Sequence, residues 1–308
     1  MPHVIIALST YNGARHLDAQ LKSYALQTHA QWDLWVSDDG STDETMAILE
    51  RWRQKWQGAH ALRVLNGPRQ GAAINFLSLL CHQDFPDDAI VALSDQDDVW
   101  LQHKLARGIG KLAEHAPNDA VLYGAQSLHV DTDLQPIGHS RTAGLRPCFQ
   151  NALAQNIVSG HTMMLNPAAL CLVRNAGVPA KVPYHDWWLY QLITGAGGRV
   201  IIDSAEVLKY RQHSGNLMGA HQGTRARRLR LRQLIDGTYG DWFDENTRAL
   251  AKVAPLLTPE NRALVKVLAN TPRRPGIARM RALRSAGLHR HGRAAQLFFT
   301  GAALLGRV

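Results

Sequence analysis

Short apolar runs that end in polar clusters recur along the first hundred residues, and they predict the architecture. Residues 3–9 are an aliphatic, β-branched run closed by the turn-prone Thr10-Tyr11-Asn12-Gly13, the pattern of a buried strand. Over 14–27 the apolar residues Leu17, Leu21, Tyr24 and Ala25 fall at helical spacing. Residues 32–37 predict a second strand ending in Asp38-Asp39-Gly40, and Ser41 with Glu44 three residues on predicts a capping box. A strand over 62–65 leads through Asn66-Gly67-Pro68 to a helix over 72–81. A strand over 89–94 leads to Asp95-Gln96-Asp97-Asp98 and a helix over 102–115. Such alternation, with strands apolar enough for burial on both faces, predicts a mainly parallel α/β sheet. Ligands of such sheets bind at the C-terminal strand ends, where each polar cluster falls.

The pattern is less regular further on. Strands are expected over 120–130, 160–165, 200–203 and 207–211, a short helix over 150–158, and an aromatic-rich helix over 185–194. Beyond about residue 222 the pattern turns helical, punctuated by Pro255, Pro259, Pro272 and Pro275. The expected division is an α/β domain over 1–221, in two halves that meet at about 118–119, and a helical region over 222–308.

Charge sharpens that division. Residues 1–219 hold 17 Lys+Arg against 20 Asp+Glu, whereas 220–308 hold 17 against 5, so the net +9 resides in the C-terminal part. The run RARRLRLR at 225–232, and Arg290 and Arg293 ahead of Leu297-Phe298-Phe299 and Leu304-Leu305, form basic amphipathic segments. These predict peripheral attachment to an anionic membrane, set against a helical cap that packs on the catalytic domain. Nucleic acid is not the expected partner, because the basic character is confined to this tail. Cys81, Cys148 and Cys171 match no metal-ligand spacing and are expected as free thiols. Without a signal-like or membrane-spanning apolar stretch, the expected location is the cytoplasm, on the inner face of the cytoplasmic membrane.

The chemistry concentrates in four clusters. Asp95, Asp97 and Asp98 repel one another, and a fold gathers them at the end of a buried strand when a counter-charge compensates. Mg²⁺ or Mn²⁺ is such a charge, taking one or two carboxylates and filling its remaining positions with phosphate oxygens and water. Asp39, at a strand end, can accept from a pyrimidine N–H or a ribose hydroxyl. Tyr11 can lay its ring on a base. In Tyr184-His185-Asp186-Trp187-Trp188, Asp186 fits a general base near an acceptor hydroxyl, and either indole could stack on a sugar ring. Taken singly, each cluster also has a bland reading as a helix cap, an acidic turn or packed core aromatics.

Taken in order, the set resembles the family 2 glycosyltransferases of the GT-A fold, over residues 3–217. The matching pieces are Ser9-Thr10-Tyr11-Asn12, the segment from Ser37 to Asp43, NGPRQGAAINF ending at Phe76, the segment from Ser94 to Trp100, Gly160-His161-Thr162-Met163, His185-Asp186-Trp187-Trp188 and the segment from Tyr210 to Asn216. The pieces SDQDDVW, HDWW and YRQH are similar to the branch with bacterial rhamnosyltransferases of surface-polysaccharide synthesis. Thr10 departs slightly from many members.

The resemblance implies a Rossmann-like sheet with helices on both faces, a nucleotide-diphosphate sugar as donor, and inversion at the anomeric carbon. It places Thr10, Tyr11, Asn12, Asp39, Arg69, Asp95 and Arg211 at the nucleotide, with the base at Tyr11 and Asp39 and the ribose at Asp95. It places Asp97 and His213 at a Mn²⁺ or Mg²⁺ ion. Asp98, Gly160, His161, Trp187 and Trp188 would face the substrates, and Asp186 would deprotonate the acceptor. The first expectation is L-rhamnose from dTDP-rhamnose, transferred to a growing polysaccharide or lipid-linked glycan. The alternatives are a UDP-sugar galactosyl- or glucosyltransferase, and a non-catalytic nucleotide-binding scaffold. A nucleotidyltransferase is disfavoured because the place after strand one, where it would carry a Gly-rich, Lys/Arg-bearing phosphate loop, holds Thr10-Tyr11-Asn12-Gly13-Ala14-Arg15 with one Gly.

Overall fold

The computed structural model describes residues 2–212 and 236–308. One nine-stranded sheet runs in the order β3-β2-β1-β4-β8-β6-β9-β5, with β7 beside β6. The strands are β1 (Val4–Thr10), β2 (Trp32–Asp38), β3 (Leu62–Asn66), β4 (Ile90–Ser94), β5 (Val99–Trp100), β6 (Val121–Val130), β7 (Pro136–His139), β8 (Met164–Leu165) and β9 (Arg199–Arg211). Six of them (β1–β4, β6 and β9) share one direction, while the short β5, β7 and β8 oppose it. Helices α1 (Ala14–Ala25), α2 (Thr45–Lys55), α3 (Ala72–Leu80) and α4 (Lys104–Leu112) connect the first strands. Helices α5 (Phe149–Ala154), α6 (Pro167–Ala176) and α7 (His185–Gly195) serve the second half.

The period of the strands sorts the core into two layers. Val4, Ile6 and Leu8 of β1 bury among Leu17, Leu21, Ile48 and Leu49 of α1 and α2. Their alternates Ile5 and Ala7 face Phe76 and Leu77 of α3 and Trp188 of α7. Burial on both faces is what a parallel sheet requires, and it leaves strand ends as the places for polar side chains.

Several local expectations are corrected. Ser41 does not cap a helix: α2 starts at Thr45, and Asp43 accepts from the Thr45 backbone N–H at 3.0 Å. Ser41 Oγ instead accepts from Asn12 N, and Ser41 N donates to Asp38. The stretch 160–165 is a 3₁₀ turn (Gly160–Thr162) followed by the two-residue β8, not one strand. The two closing strands are one, β9, whose register against β6 shifts between Ile202 and Glu206. There Asp203 is clamped by Arg107 at 2.5 and 2.9 Å and by the Tyr123 hydroxyl at 3.0 Å.

Beyond residue 235 come α8 (Thr238–Lys252), α9 (Pro259–Asn270), α10 (Ile277–Ser285) and α11 (Arg293–Leu304). Phe243, Leu250, Leu257, Val265, Leu268 and Phe299 bury in the same core cluster as Phe149 of α5 and Trp187 of α7. The run at 225–232 lies outside the described residues. No described helix is long and apolar enough to cross a membrane, and the three cysteines are free thiols.

Candidate active site

The site forms where β1, β2 and β4 end side by side. Thr10 Oγ1 donates to Asp38 Oδ1 at 2.8 Å, which ties the ends of β1 and β2. Asn12, at φ 48°, accepts on Oδ1 from Thr42 N at 2.8 Å, and Ala14 N donates to Asp43 at 3.0 Å. Gln96 spans from the acidic loop to the first loop: Oε1 accepts from Tyr11 N at 2.9 Å and Nε2 donates to Tyr11 O at 3.0 Å. The Tyr11 backbone is thereby fixed while its ring stays 58 % exposed, presented to whatever enters. Asp39 is buried, and its two oxygens accept from Arg69 N at 2.6 Å and Gly71 N at 2.8 Å. A carboxylate keeps further lone pairs, so Asp39 can hold this loop and still accept from a base. The loop also brings Arg69 across Gly40, where a Cβ would lie 3.0 Å from Arg69 Nε.

Asp95–Asp98 lies between β4 and β5, and β5 pairs with β9, so the loop closes over the sheet edge. Asp98 is fully buried: Oδ1 accepts from Arg211 N at 3.2 Å, and Oδ2 has no hydrogen-bond partner. Arg211 is buried too, its Nε donating to Asp97 O at 3.1 Å and Nη1 to Thr132 O at 2.6 Å. It grips the acidic loop by its backbone. The His161 ring lies flat on Tyr210, centroids 4.3 Å apart, with Nδ1 3.9 Å from Asp95 Oδ2.

Beneath the loop Lys104 is completely buried; Nζ donates to His161 O at 2.6 Å and sits 3.4 Å from the Trp100 ring centroid. Burial pushes the Asp98 carboxyl well up, aided by Asp97 and Asp95 and opposed by the Arg211 N–H and Lys104. Burial pushes Lys104 well down, and the charges of Asp98 and Asp95 resist. Asp95 is pushed up to about 7 by burial, then by the charges of Asp97 and Asp186, with Lys104 opposing.

The charge of Asp186, from the second half of the chain, is among those that raise Asp95. Asp186 opens α7, where Oδ2 accepts from Gly160 N at 3.1 Å and Oδ1 from Trp187 N at 2.7 Å. Burial raises its carboxyl to about 6 despite these bonds. Gly160 is required by contact, because a Cβ there would lie 2.5 Å from His185 Nε2 and 3.3 Å from Asp186 Cβ. His185 stacks on Phe76 at 4.0 Å and is lowered to about 3 by burial, so it stays neutral.

Trp187 and Trp188 are a correction. Both are core residues, 3 % and 0 % exposed, and Trp187 Nε1 donates to Ala152 O at 2.6 Å. Because the helix begins at His185, the two indoles turn inward and offer no face to a sugar. Asp98 likewise presents no surface to one. His213 lies outside the described residues. Gln96, Lys104 and Asn75 are parts the sequence did not single out; Asn75 Nδ2 donates to Ser9 Oγ at 2.7 Å and to Ser37 O at 2.8 Å.

Asp95, Asp97 and Asp98 lie in electrostatic reach of one another, Asp186 acts on Asp95, and a single buried lysine stands among them. The ligand atoms of Asp95, Asp98 and His161 lie within 4.8 Å of one another. With the bondless Asp98 Oδ2, this donor set fits a divalent cation that prefers oxygen ligands.

A mainly parallel sheet of this order, with an acidic loop at one strand end, is the architecture of a GT-A glycosyltransferase. Residues 5–162 match the profile of glycosyl transferase family 2, and the chain belongs to that family. Among its relatives is the dTDP-rhamnosyl transferase RfbG of Shigella flexneri, 26% identical over 251 residues, which cover 79% of this chain and 84% of that protein. Another is the UDP-Glc:alpha-D-GlcNAc-diphosphoundecaprenol beta-1,3-glucosyltransferase WfgD of Escherichia coli, 29% identical over 122 residues (39% of this chain, 44% of that protein). The fold is shared with S. aureus TarS 1-349 in complex with UDP-GlcNAc, at 16% identity and a TM-score of 0.54, over 98% of this chain and 90% of that one. It is also shared with the mannosyltransferase PcManGT from Pyrobaculum calidifontis in complex with GDP-Man and Mn2+, at 20% identity and a TM-score of 0.53, over 99% and 85%.

Proposed function

We propose that this glycosyltransferase inverts configuration, moving L-rhamnose from dTDP-rhamnose onto a hydroxyl of a growing cell-surface polysaccharide or lipid-linked glycan. The observation that carries the mechanism is Asp186, fixed at the start of α7 by the Gly160 and Trp187 N–H groups. Tyr11 covers the base, Asp39 accepts from its edge, Asp95 takes the ribose, and Thr10 and Asn12 shape the loop that holds them. Arg69 borders the donor, and Arg211 keeps the acidic loop in place. Asp97, Asp98, Asp95 and His161 would hold Mn²⁺ or Mg²⁺, with His213 a further ligand. Bound there, the cation supplies the Lewis acidity that neutralises the departing diphosphate. Asp186 takes the acceptor proton as its oxygen attacks the anomeric carbon opposite the leaving group. A single displacement inverts the centre and needs no enzyme nucleophile.

The rhamnosyl reading is supported by the RfbG likeness, which spans most of both chains, whereas the glucosyltransferase likeness spans 39% of this one. A lipid-linked acceptor would be met at the inner face of the cytoplasmic membrane, and the proposal includes peripheral attachment there through 222–308. Thermal unfolding with dTDP, UDP, GDP and CDP, each with and without Mn²⁺ or Mg²⁺, tests the donor. A nucleotide at 100 times its Kd adds about 2.7 kcal/mol. The expected result is a cation-dependent rise with dTDP, followed by turnover of dTDP-rhamnose. A rise confined to UDP selects the UDP-sugar alternative, and no rise with any nucleotide overturns the donor site.

A further inference from the structure

Helices α10 and α11 form the end of the described chain, and their composition is one-sided. Residues 271–308 hold eight arginines and no aspartate or glutamate. Between Arg293 and Arg307 no residue is charged, so α11 is uncharged beyond its first residue. One side of α11 is buried, through Phe299, Ala302 and Ala303. The other carries Leu297 (73 % exposed), Phe298 (51 %), Leu304 and Leu305 (63 %), at the i, i+1, i+7, i+8 spacing of one helical face. Gly276 N donates to Leu304 O at 2.8 Å, which sets the start of α10 against the end of α11 and adds Ile277, 55 % exposed, to the same ridge. Arg274, Arg281, Arg284, Arg293 and Arg307 are exposed around it.

An apolar ridge rimmed by cations has no reason to face water, and contiguous exposed apolar surface marks an interaction site. We infer that this ridge is a membrane-docking surface, with Leu297, Phe298 and Leu305 entering the acyl boundary of an anionic bilayer and the arginines meeting its head groups. The inference rests on the reading of 222–308 as a peripheral attachment region, and it locates the attachment on α10 and α11 rather than on the arginine run at 225–232. Charge decides the occupant. A second copy apposed through the same face would set two acid-free arginine clusters against each other, whereas anionic lipid complements them. Depth and sign agree as well, since interfacial helices bury an apolar face beneath a basic flank.

The test uses the full chain and sedimentation with phosphatidylcholine vesicles, with and without phosphatidylglycerol. Two triple variants accompany the parent: Leu297→Ser/Phe298→Ser/Leu305→Ser, and Arg274→Gln/Arg281→Gln/Arg293→Gln. All six side chains are solvent-facing or loop residues distant in sequence from the site, and thermal unfolding with nucleotide checks the fold of each variant. Expected are binding of the parent to the anionic vesicles and a loss of about ten-fold or more in the apolar variant at any salt concentration. The arginine variant should lose its binding preference for phosphatidylglycerol. Equal binding by parent and apolar variant overturns the ridge while leaving peripheral attachment standing. A change of oligomeric state in the apolar variant, with vesicle binding intact, assigns the ridge to a second copy and also overturns it. A parent that binds neither vesicle overturns the attachment reading itself, independently of any sugar transfer.

Discussion

A carboxylate that takes a proton from a sugar hydroxyl works best when its own pKa lies near the working pH. Asp186 meets that condition because burial raises it to about 6 while two backbone N–H groups keep it oriented. The basic form is the deprotonated one, so kcat/KM should fall as pH drops below about 6, with a limb that disappears in Asp186→Asn. That variant should lose about 10²–10⁴-fold in turnover, the usual worth of general-base help, while its nucleotide-induced stabilisation is unchanged. Near-parental turnover in the variant would remove Asp186 from the chemistry. Lys104 answers a different need. It is the buried amine beneath the acidic loop, donating to His161 O and acting electrostatically on Asp98 and Asp95, and leaving such a buried acceptor without its donor costs about 1–3 kcal/mol. Lys104→Met should therefore melt well below the parent in metal-free buffer, and saturating Mn²⁺ should narrow the gap, because the ion then neutralises the same carboxylates. A gap that Mn²⁺ leaves unchanged would make Lys104 a packing residue only.

Elements carry these residues to one another, and the 3₁₀ turn Gly160–Thr162 does more of this than its length implies. Its Gly160 N–H holds Asp186, its His161 ring faces Asp95, and its His161 carbonyl takes the Lys104 ammonium. Gly160→Ala puts a methyl 2.5 Å from His185 Nε2, so the start of α7 must shift and Asp186 with it. Turnover should fall by at least about ten-fold, since misplacement on the ångström scale costs up to about 10²-fold, and nucleotide binding should persist. Loss of both together would place the damage in the fold instead. The same turn shows where sequence stops being legible. Strands β1, β2 and β4 and the polar clusters at their ends are readable because each is a local signal, an apolar run closed by turn-formers. The turn at 160–162 is not, because Gly160-His161-Thr162-Met163 looks like a strand start until the packing of α7 bends it. Two-residue β5 has no periodicity to read, yet its pairing with Lys209 and Leu208 closes the acidic loop. Trp187 and Trp188 stand beside Asp186 in the chain, and only the start of α7 at His185 decides that they point inward. Gln96 stands between the aspartates of the acidic motif, but its partner Tyr11 is 85 positions away in the chain.

At the scale of the whole molecule the C-terminal helices present two different faces. Their inner face is part of the core: Tyr239 lies 5.8 Å from Trp187, Tyr184 is 5.3 Å from Trp242, and Phe243, Leu250 and Leu257 bury completely or nearly so. The outer face is the ridge of α10 and α11. The two expectations for this region, a cap on the catalytic domain and a membrane-facing surface, are therefore compatible, because they use different side chains. They separate under truncation. Burying a large apolar side chain is worth about 1.5–3 kcal/mol, so losing five or more of them approaches the roughly 5–15 kcal/mol that stabilises a typical domain. A chain ending at residue 221 should consequently express poorly or melt far below the parent, whereas the apolar ridge variant should melt with it. Soluble yield and thermal unfolding of the two proteins side by side make the comparison. If the shortened chain melts like the parent, residues 1–221 fold autonomously and the inner contacts of α8 and α9 add little. If it fails while the ridge variant stays intact, the catalytic sheet depends on its tail for stability, and the exposed apolar face is left for a role outside the fold.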